Sequence, residues 1–196
     1  MKNYFKASSK NISTAIKYLA DSNIIAHSTD TLPGLAADAT NSNAINKIIK
    51  LKKRSGPYSI IISSLNDIKK YAVVNQKKMS EINKLLPGRF TILLKNNHNH
   101  NLSKLALGNS ELIGFRIPKH EFTNKLVNKF KKPIITTSLN VTKKESIIDL
   151  KTASIDFEDL VIFDDGVKRN SKGSTILDFS SDAIKIIRYG DEIYKK

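Results

Sequence analysis

Cysteine is absent from this chain of 196 residues. Its absence excludes disulfides, thiolate catalysis and Cys-ligated zinc, and fits a reducing cytoplasm. No unbroken apolar run reaches membrane length, and the polar, lysine-bearing residues 1–10 lead into none. The sequence therefore predicts neither a signal peptide nor a membrane span, and a cytoplasmic protein. There is no Gly-rich Walker loop, dinucleotide fingerprint, internal repeat or low-complexity tract. A polar gap long enough for a linker is also missing, since apolar residues run from position 12 to position 188. One domain over residues 1–196 is expected, large enough to bury a core without disulfides or metals. Arginine is scarce: it occurs only at 54, 89, 116, 169 and 188.

Positive charge is abundant, with 33 Lys and Arg against 18 Asp and Glu, a formal net charge of +15. Such a balance favours polyanions and raises possible contact with RNA or tRNA. Its makeup weakens that inference, because nearly all the cations are lysine in a chain also crowded with Asn and Ile, as an AT-rich genome would supply. The five arginines are more telling, since a lineage drifting toward Lys retains Arg where a planar, bidentate fork is needed.

Ile12, Ala15, Ile16, Leu19 and Ala20 repeat at helical spacing, and Ile24-Ile25-Ala26 reads as a short buried strand. Residues 28–34, Ser-Thr-Asp-Thr-Leu-Pro-Gly, read as a loop. Asn41-Ser42-Asn43 can cap a helix with Ala44, Ile45, Ile48, Ile49 and Leu51 on one face, ending at Lys52 and Arg54. Residues 58–62 and 90–94 are strands, with helical patterns at 65–72 and 79–86 between them. The polar, Asn-rich residues 95–110 read as a mobile loop. A strand over 112–117 ends in Arg116, a helix spans 122–130, and residues 133–137 form a strand reaching Ser138 and Asn140. Further strands are expected near 160–163, 174–179 and 184–188, with a turn at Asp164-Asp165-Gly166. The predicted fold class is mixed α/β: a twisted parallel and antiparallel sheet with helices packed on it and an open, concave, basic cleft.

Two separated tripeptides carry the chemistry. Lys52-Lys53-Arg54 offers cations that are costly to bury unless they face an anion, and Ser138-Leu139-Asn140 offers small hydrogen-bonding groups at a strand end, where α/β folds place ligands. Together they read as a polyphosphate cradle. His98 and His100 have no third ligand nearby and read as a polar loop, and Asp164-Asp165-Gly166 lacks the continuation of a calcium loop. No protein metal site is expected.

The order of motifs adds to this reading. Residues 28–35 (STDTLPGL), Asp38-Ala39, Lys52-x-Arg54, 57–61 (PYSII), 86–91 (LPGRFT), 114–118 (GFRIP), 137–140 (TSLN), 173–176 (GSTI) and 187–190 (IRYG) resemble, in sequence order, the YrdC-like domain family. The resemblance covers residues 9–190, and its best-known members are threonylcarbamoyl-AMP synthases. It implies a YrdC/RibB-like fold without a second C-terminal domain, as in the short bacterial form. It also implies a reaction in which L-threonine and bicarbonate form an N-carboxylate that attacks the α-phosphorus of ATP and expels pyrophosphate. A separate transfer complex then carries the threonylcarbamoyl group to tRNA. By the same resemblance Lys52, Arg54, Ser138 and Asn140 form the catalytic and ATP-binding set, joined at the nucleotide by Ser146 and Arg188. Thr29, Arg116 and Ser174 hold L-threonine, Arg116 through the carboxylate, and Mg2+ arrives on the triphosphate.

The chain departs from the family pattern at several positions. Ser28 stands in place of the usual proline, Asp30 of the more frequent Glu, Leu139 of a small residue and Lys143 of a common Gly, and the loop after Arg54 is short. Two alternatives stay open: an RNA-binding module of the same fold using a basic concave face, and a nucleotide-binding paralogue without synthase activity, such as a hydrolase or a detached carbamoyl-adenylate domain.

Overall fold

The computed structural model describes residues 3–140, 147–157 and 159–195. Its strands are β1 (Tyr4–Lys6), β2 (Ile25–His27), β3 (Gly34–Asp38), β4 (Ser59–Ile61), β5 (Phe90–Lys95), β6 (Leu112–Arg116), β7 (Ile134–Ser138), β8 (Val161–Asp164), β9 (Thr175–Asp178) and β10 (Lys185–Arg188). They join into one sheet in the order β1-β8-β2-β3-β7-β4-β6-β5-β9-β10, mixing parallel and antiparallel pairs. The helices are α1 (Ile12–Ala20), α2 (Ser42–Lys52), α3 (Ile68–Tyr71), α4 (Gln76–Leu85), α5 (Lys104–Leu107), α6 (Glu121–Phe130) and α7 (Leu150–Asp156). The mixed sheet with packed helices is the expected class. None of the described helices is long and apolar enough to cross a membrane.

Side chains alternate between the two faces of a strand, so each strand feeds two cores. Leu35, Ala37, Ile60, Ile62 and Ile135 belong to one buried cluster, with Ala44, Ile45 and Ile48 of α2 and Ala106 of α5. Ala36, Ile61 and Ile134 point the other way, into a cluster with Ile12 and Leu19 of α1 and Phe122 and Leu126 of α6. Helices therefore cover both faces. On the α1/α6 face the sheet changes character along its strands: the positions in line with Ile134, Ile61 and Ala36 become Thr136 and Ser138, Ser59, and Gly34. Cross-strand register lines these up, pairing Gly34 with Ser138 and Ser59 with Thr136. Beyond the helices the apolar floor thus becomes a floor of hydroxyls and glycine.

Three readings need correction. Gly34 belongs to a strand, not only to a loop; β3 lies between β2 and β7 and is buried along its whole length. Residues 95–110 are not simply a loop, because they contain α5, and Leu102, Ala106 and Leu107 are buried in the main core. β1 and α7 fall where no element was expected, β1 being a three-residue edge strand parallel to β8.

Candidate active site

Asn41 accepts the Ala44 N–H at 3.1 Å and starts α2, which ends at Lys52; Lys53 then turns left-handed, with φ 52°. The apolar stripe of α2 fixes its rotation, and that rotation sends the Lys52 side chain inward, leaving the residue only 2% exposed. Its ammonium donates to the Ser138 carbonyl at 2.7 Å, to the Asn140 carbonyl at 3.1 Å and to Asn140 Oδ1 at 2.7 Å. Ser138 Oγ donates to the same Asn140 Oδ1 at 2.8 Å. Burial, and then the neighbouring Arg54 guanidinium, push the Lys52 pKa down to about 8. The four residues expected to act together do converge: three are hydrogen-bonded to one another and Arg54 stands beside them.

A cavity of about 400 Å³ opens over the hydroxyl floor. Its walls include Ser59, Thr136, Thr137 and Ser138 from the sheet, Thr31 from the 28–33 loop, and Gly173 and Ser174 just before β9. Four cations line it, Arg54, Arg116, Lys172 and Arg188, and none of its described lining residues is acidic. Such a lining attracts an anion bearing several oxygens. Gly34 lets the Thr136 hydroxyl stand close in this floor, since a Cβ there would be 2.9 Å from Thr136 Oγ1. Arg54 is exposed, with its guanidinium 6.0 Å from the Tyr58 ring centroid, while Tyr58 donates to the Arg54 carbonyl at 2.7 Å.

Arg116 ends β6 and is buried. Its Nη2 donates to Asp30 Oδ1 at 2.8 Å and to Thr31 Oγ1 at 3.2 Å, and Asp30 Oδ2 accepts the Lys119 N–H at 2.8 Å. The acceptor required by this buried guanidinium is therefore first Asp30, a partner within the protein. Its Nε is buried with no hydrogen-bond partner among the described residues, although the side chain lines the cavity. Burial pushes the Arg116 pKa down, opposed by Asp30.

Ser174 Oγ lies 2.7 Å from Thr91 Oγ1, and Arg188 Nη2 donates to the Ser174 carbonyl at 2.7 Å and to Ser174 Oγ at 3.3 Å. These two predicted residues form one wall. Thr29 stands differently: its Oγ1 donates to the Leu32 carbonyl at 2.7 Å and accepts the Thr31 N–H at 3.0 Å, closing the loop from inside. It is not among the cavity's lining residues; Thr31 is. Lys52 and Asn140 stand behind Ser138 rather than in the lining. Ser146, like Lys143, lies outside the described residues. Sequence reasoning missed Lys172, Thr31 and Thr136 at the cavity. Lys172 is two residues before Ser174 in a cation-bearing turn, a signal hidden by the abundance of lysine.

His98 and His100 are engaged in their own segment, His98 with Glu111 at 3.1 Å and His100 with Asn96 Oδ1 at 2.8 Å. Among the described residues no group of three or more His, Cys, Asp or Glu side chains could hold a metal ion.

Among the described residues, a mixed ten-stranded sheet with a cation-lined, hydroxyl-floored cavity on one face makes an α/β fold whose cavity has the charge and hydrogen-bonding groups to suit an anion. The family model Sua5_yciO_yrdC, described as telomere recombination, matches residues 17–190. The chain belongs to this Sua5/YciO/YrdC family. It is 35% identical over 179 residues to a putative threonylcarbamoyl-AMP synthase of Methanocaldococcus jannaschii, covering 89% of this chain and 83% of that protein. It is 31% identical over 196 residues to the threonylcarbamoyl-AMP synthase of Buchnera aphidicola, covering 96% and 98%. Among solved structures, H234A/Y235A Sua5 of P. abyssi superposes with a TM-score of 0.88 at 24% identity, covering 96% of this chain, which spans 60% of that one. The complex of P. abyssi Sua5 with L-threonine gives 0.84 at 23% identity, covering 95% of this chain and 56% of that one. These likenesses show the same fold.

Proposed function

We propose that this chain is an L-threonylcarbamoyladenylate synthase, a nucleotidyltransferase acting on L-threonine, bicarbonate and ATP. The observation that carries the reading is the convergence of Lys52, Arg54, Ser138 and Asn140 at one end of a cavity whose other wall holds Arg116, Ser174 and Arg188. The relatives named threonylcarbamoyl-AMP synthase support it, as does the family member solved with L-threonine.

In this reading the threonine amine and bicarbonate form an N-carboxylate and release water. A carboxylate oxygen then bonds to the α-phosphorus of ATP as the bond to the pyrophosphate oxygen breaks. Such a displacement needs positioning and charge neutralisation more than covalent help. Arg54 grips phosphate oxygens as a fork, while Lys52 fixes Ser138 and Asn140 and lends its charge from behind. Arg188, with Ser146, serves the nucleotide. Arg116 takes the threonine carboxylate, using the donor face that Asp30 leaves open, and Ser174 meets the amino acid from the opposite wall. Thr29 acts through the loop it closes. Mg2+ enters on the triphosphate, whose oxygens supply its ligands and whose charge it offsets.

The proposal includes one catalytic unit over residues 9–190, a cytoplasmic setting and a separate complex that consumes the adenylate in tRNA modification. Buried, directional donors aimed into a cavity favour it over an RNA-binding module, which needs only an exposed basic face. Pyrophosphate release measured with each substrate omitted in turn tests it: release should require threonine and bicarbonate together. ATP hydrolysis indifferent to both would overturn it.

A further inference from the structure

Outside the cavity a chain of hydrogen bonds joins the loop before β3 to the turn after β8. His120 caps α6: its Nδ1 lies 2.8 Å from Thr123 Oγ1 and accepts the Thr123 N–H at 3.4 Å, while its Nε2 lies 3.2 Å from Asp165 Oδ2. Arg169 grips Asp165 with two bonds, at 2.6 and 3.1 Å. On the inner side, His27 Nδ1 lies 2.9 Å from the Ser28 carbonyl and 3.2 Å from Thr123 Oγ1.

The donors and acceptors fix the protons. The Thr123 N–H can only donate, so Nδ1 of His120 holds a lone pair and its hydrogen sits on Nε2, facing the carboxylate of Asp165. The Ser28 carbonyl can only accept, so His27 carries its hydrogen on Nδ1. Thr123 Oγ then accepts from His27 and donates to His120 at 2.8 Å, the nearer of its two acceptors, the Ser28 carbonyl lying at 3.4 Å. Every bond from His27 to Asp165 runs in one direction, with both imidazoles neutral.

Neighbouring backbone ties these hydrogen bonds to both walls of the cavity. Lys119, next to His120, holds Asp30 through its N–H, and Asp30 holds Arg116. Ser28 Oγ donates to Asp164 Oδ1 at 3.1 Å and accepts the Asp165 N–H at 3.0 Å, and the turn begun there continues to Lys172, Gly173 and Ser174. We infer that His120 is a positioning residue for the cavity: locked as the Nε2–H tautomer, it clamps the Asp30–Arg116 wall to the Asp165–Ser174 turn and so sets the width of the amino-acid end. The inference rests on the synthase reading for its kinetic consequence, though not for its geometry.

Two substitutions separate the two ring nitrogens. In His120→Asn the short amide still caps α6 and cannot reach Asp165. In His120→Gln the longer amide nitrogen reaches toward Asp165. His120→Asn should raise the threonine KM about tenfold with kcat nearly unchanged, the signature of binding lost equally from ground and transition states. His120→Gln should recover most of that loss. Nitrogen-15 NMR of the histidines should show His120 protonated on Nε2 alone at neutral pH, and the Arg116 Nε–H resonance should move in His120→Asn. An unchanged threonine KM in His120→Asn, or an Nδ1–H tautomer in the wild type, overturns the inference. If the wild type makes no adenylate, the synthase reading fails, and the tautomer and the Arg116 shift decide this inference alone.

Discussion

The ammonium of Lys52 and the carboxamide oxygen of Asn140, 88 positions apart in sequence, meet at 2.7 Å. One closes a helix and the other follows the end of a central strand, so the contact reports that both elements are in register. It also sets a conflict that function must resolve. Three oxygens hold the ammonium while burial disfavours its charge, and in the proposed function the phosphates draw on that charge from behind Ser138.

Asn140→Asp should sharpen that conflict. A carboxylate in this position would pair with Lys52 and hold the fold at least as firmly, leaving the melting temperature equal or higher. The same carboxylate would repel phosphate oxygens and raise the ATP KM at least about tenfold, as expected for losing about 1.4 kcal/mol or more of charge-assisted binding. Thermal melts and ATP titration on one preparation check both halves. A variant that melts lower and binds ATP normally would contradict the assignment.

The Lys52 pKa of about 8 predicts an alkaline limit on nucleotide affinity. Below that value the group is an ammonium and attracts the triphosphate; above it the charge is lost and the ATP KM should rise. Lys52→Gln should show a raised KM that no longer changes through this range. For folding the sign is opposite. A depressed lysine pKa means the folded state binds its proton less readily than the unfolded one, so this group's contribution to stability is fully present above about 10.5 and is lost as pH falls through about 8.

Asp30→Asn should be strongly destabilising. It removes the charge partner of a guanidinium whose side chain is only 7% exposed, and breaking such a buried pair costs about 3–5 kcal/mol. Threonine binding should fall as well, because Arg116 loses the contact that aims it. Denaturant unfolding measures the first effect and calorimetric titration with threonine the second. Arg116→Lys should fold better than Asp30→Asn yet lose the two-pronged grip on a carboxylate.

His27 predicts an acid limit. Burial holds its pKa near 3, below the ordinary 6.5, so the unfolded chain binds a proton that the folded chain refuses. Its contribution to stability is complete above about pH 6.5 and is lost as pH falls toward 3. Burial lowers the pKa of His120 and His100 too, adding slopes of the same sign. His27→Leu should flatten the fall in melting temperature between pH 6.5 and 4. A slope identical to wild type would contradict it.

Much of this architecture is legible in the residues, for reasons that also explain the gaps. α2 announces itself through its Asn41 cap and its 3.6-residue apolar period, and β7 through a β-branched run ending in Ser138. β3 is silent because Gly-Leu-Ala-Ala-Asp carries little strand preference; its conformation comes from β2 and β7 on either side. Arg116 reads correctly as a cation at a strand end. Its pairing with Asp30 is invisible, because 86 residues separate them and no periodicity links a loop carboxylate to a strand arginine. The same holds for His120, Asp165 and Arg169, which lie in turns or at a helix cap where sequence spacing carries no geometric meaning.

In the proposed function, groups distant in sequence assemble one site that joins threonine, bicarbonate and ATP. The most direct measurement incubates the protein with ATP, L-threonine and carbon-13 bicarbonate and identifies the nucleotide product by mass. An adenylate carrying both the threonine and the labelled carbon is expected, abolished by Arg54→Ala. AMP or ADP with no label in an adenylate, or the labelled adenylate formed equally well by Arg54→Ala, would contradict it.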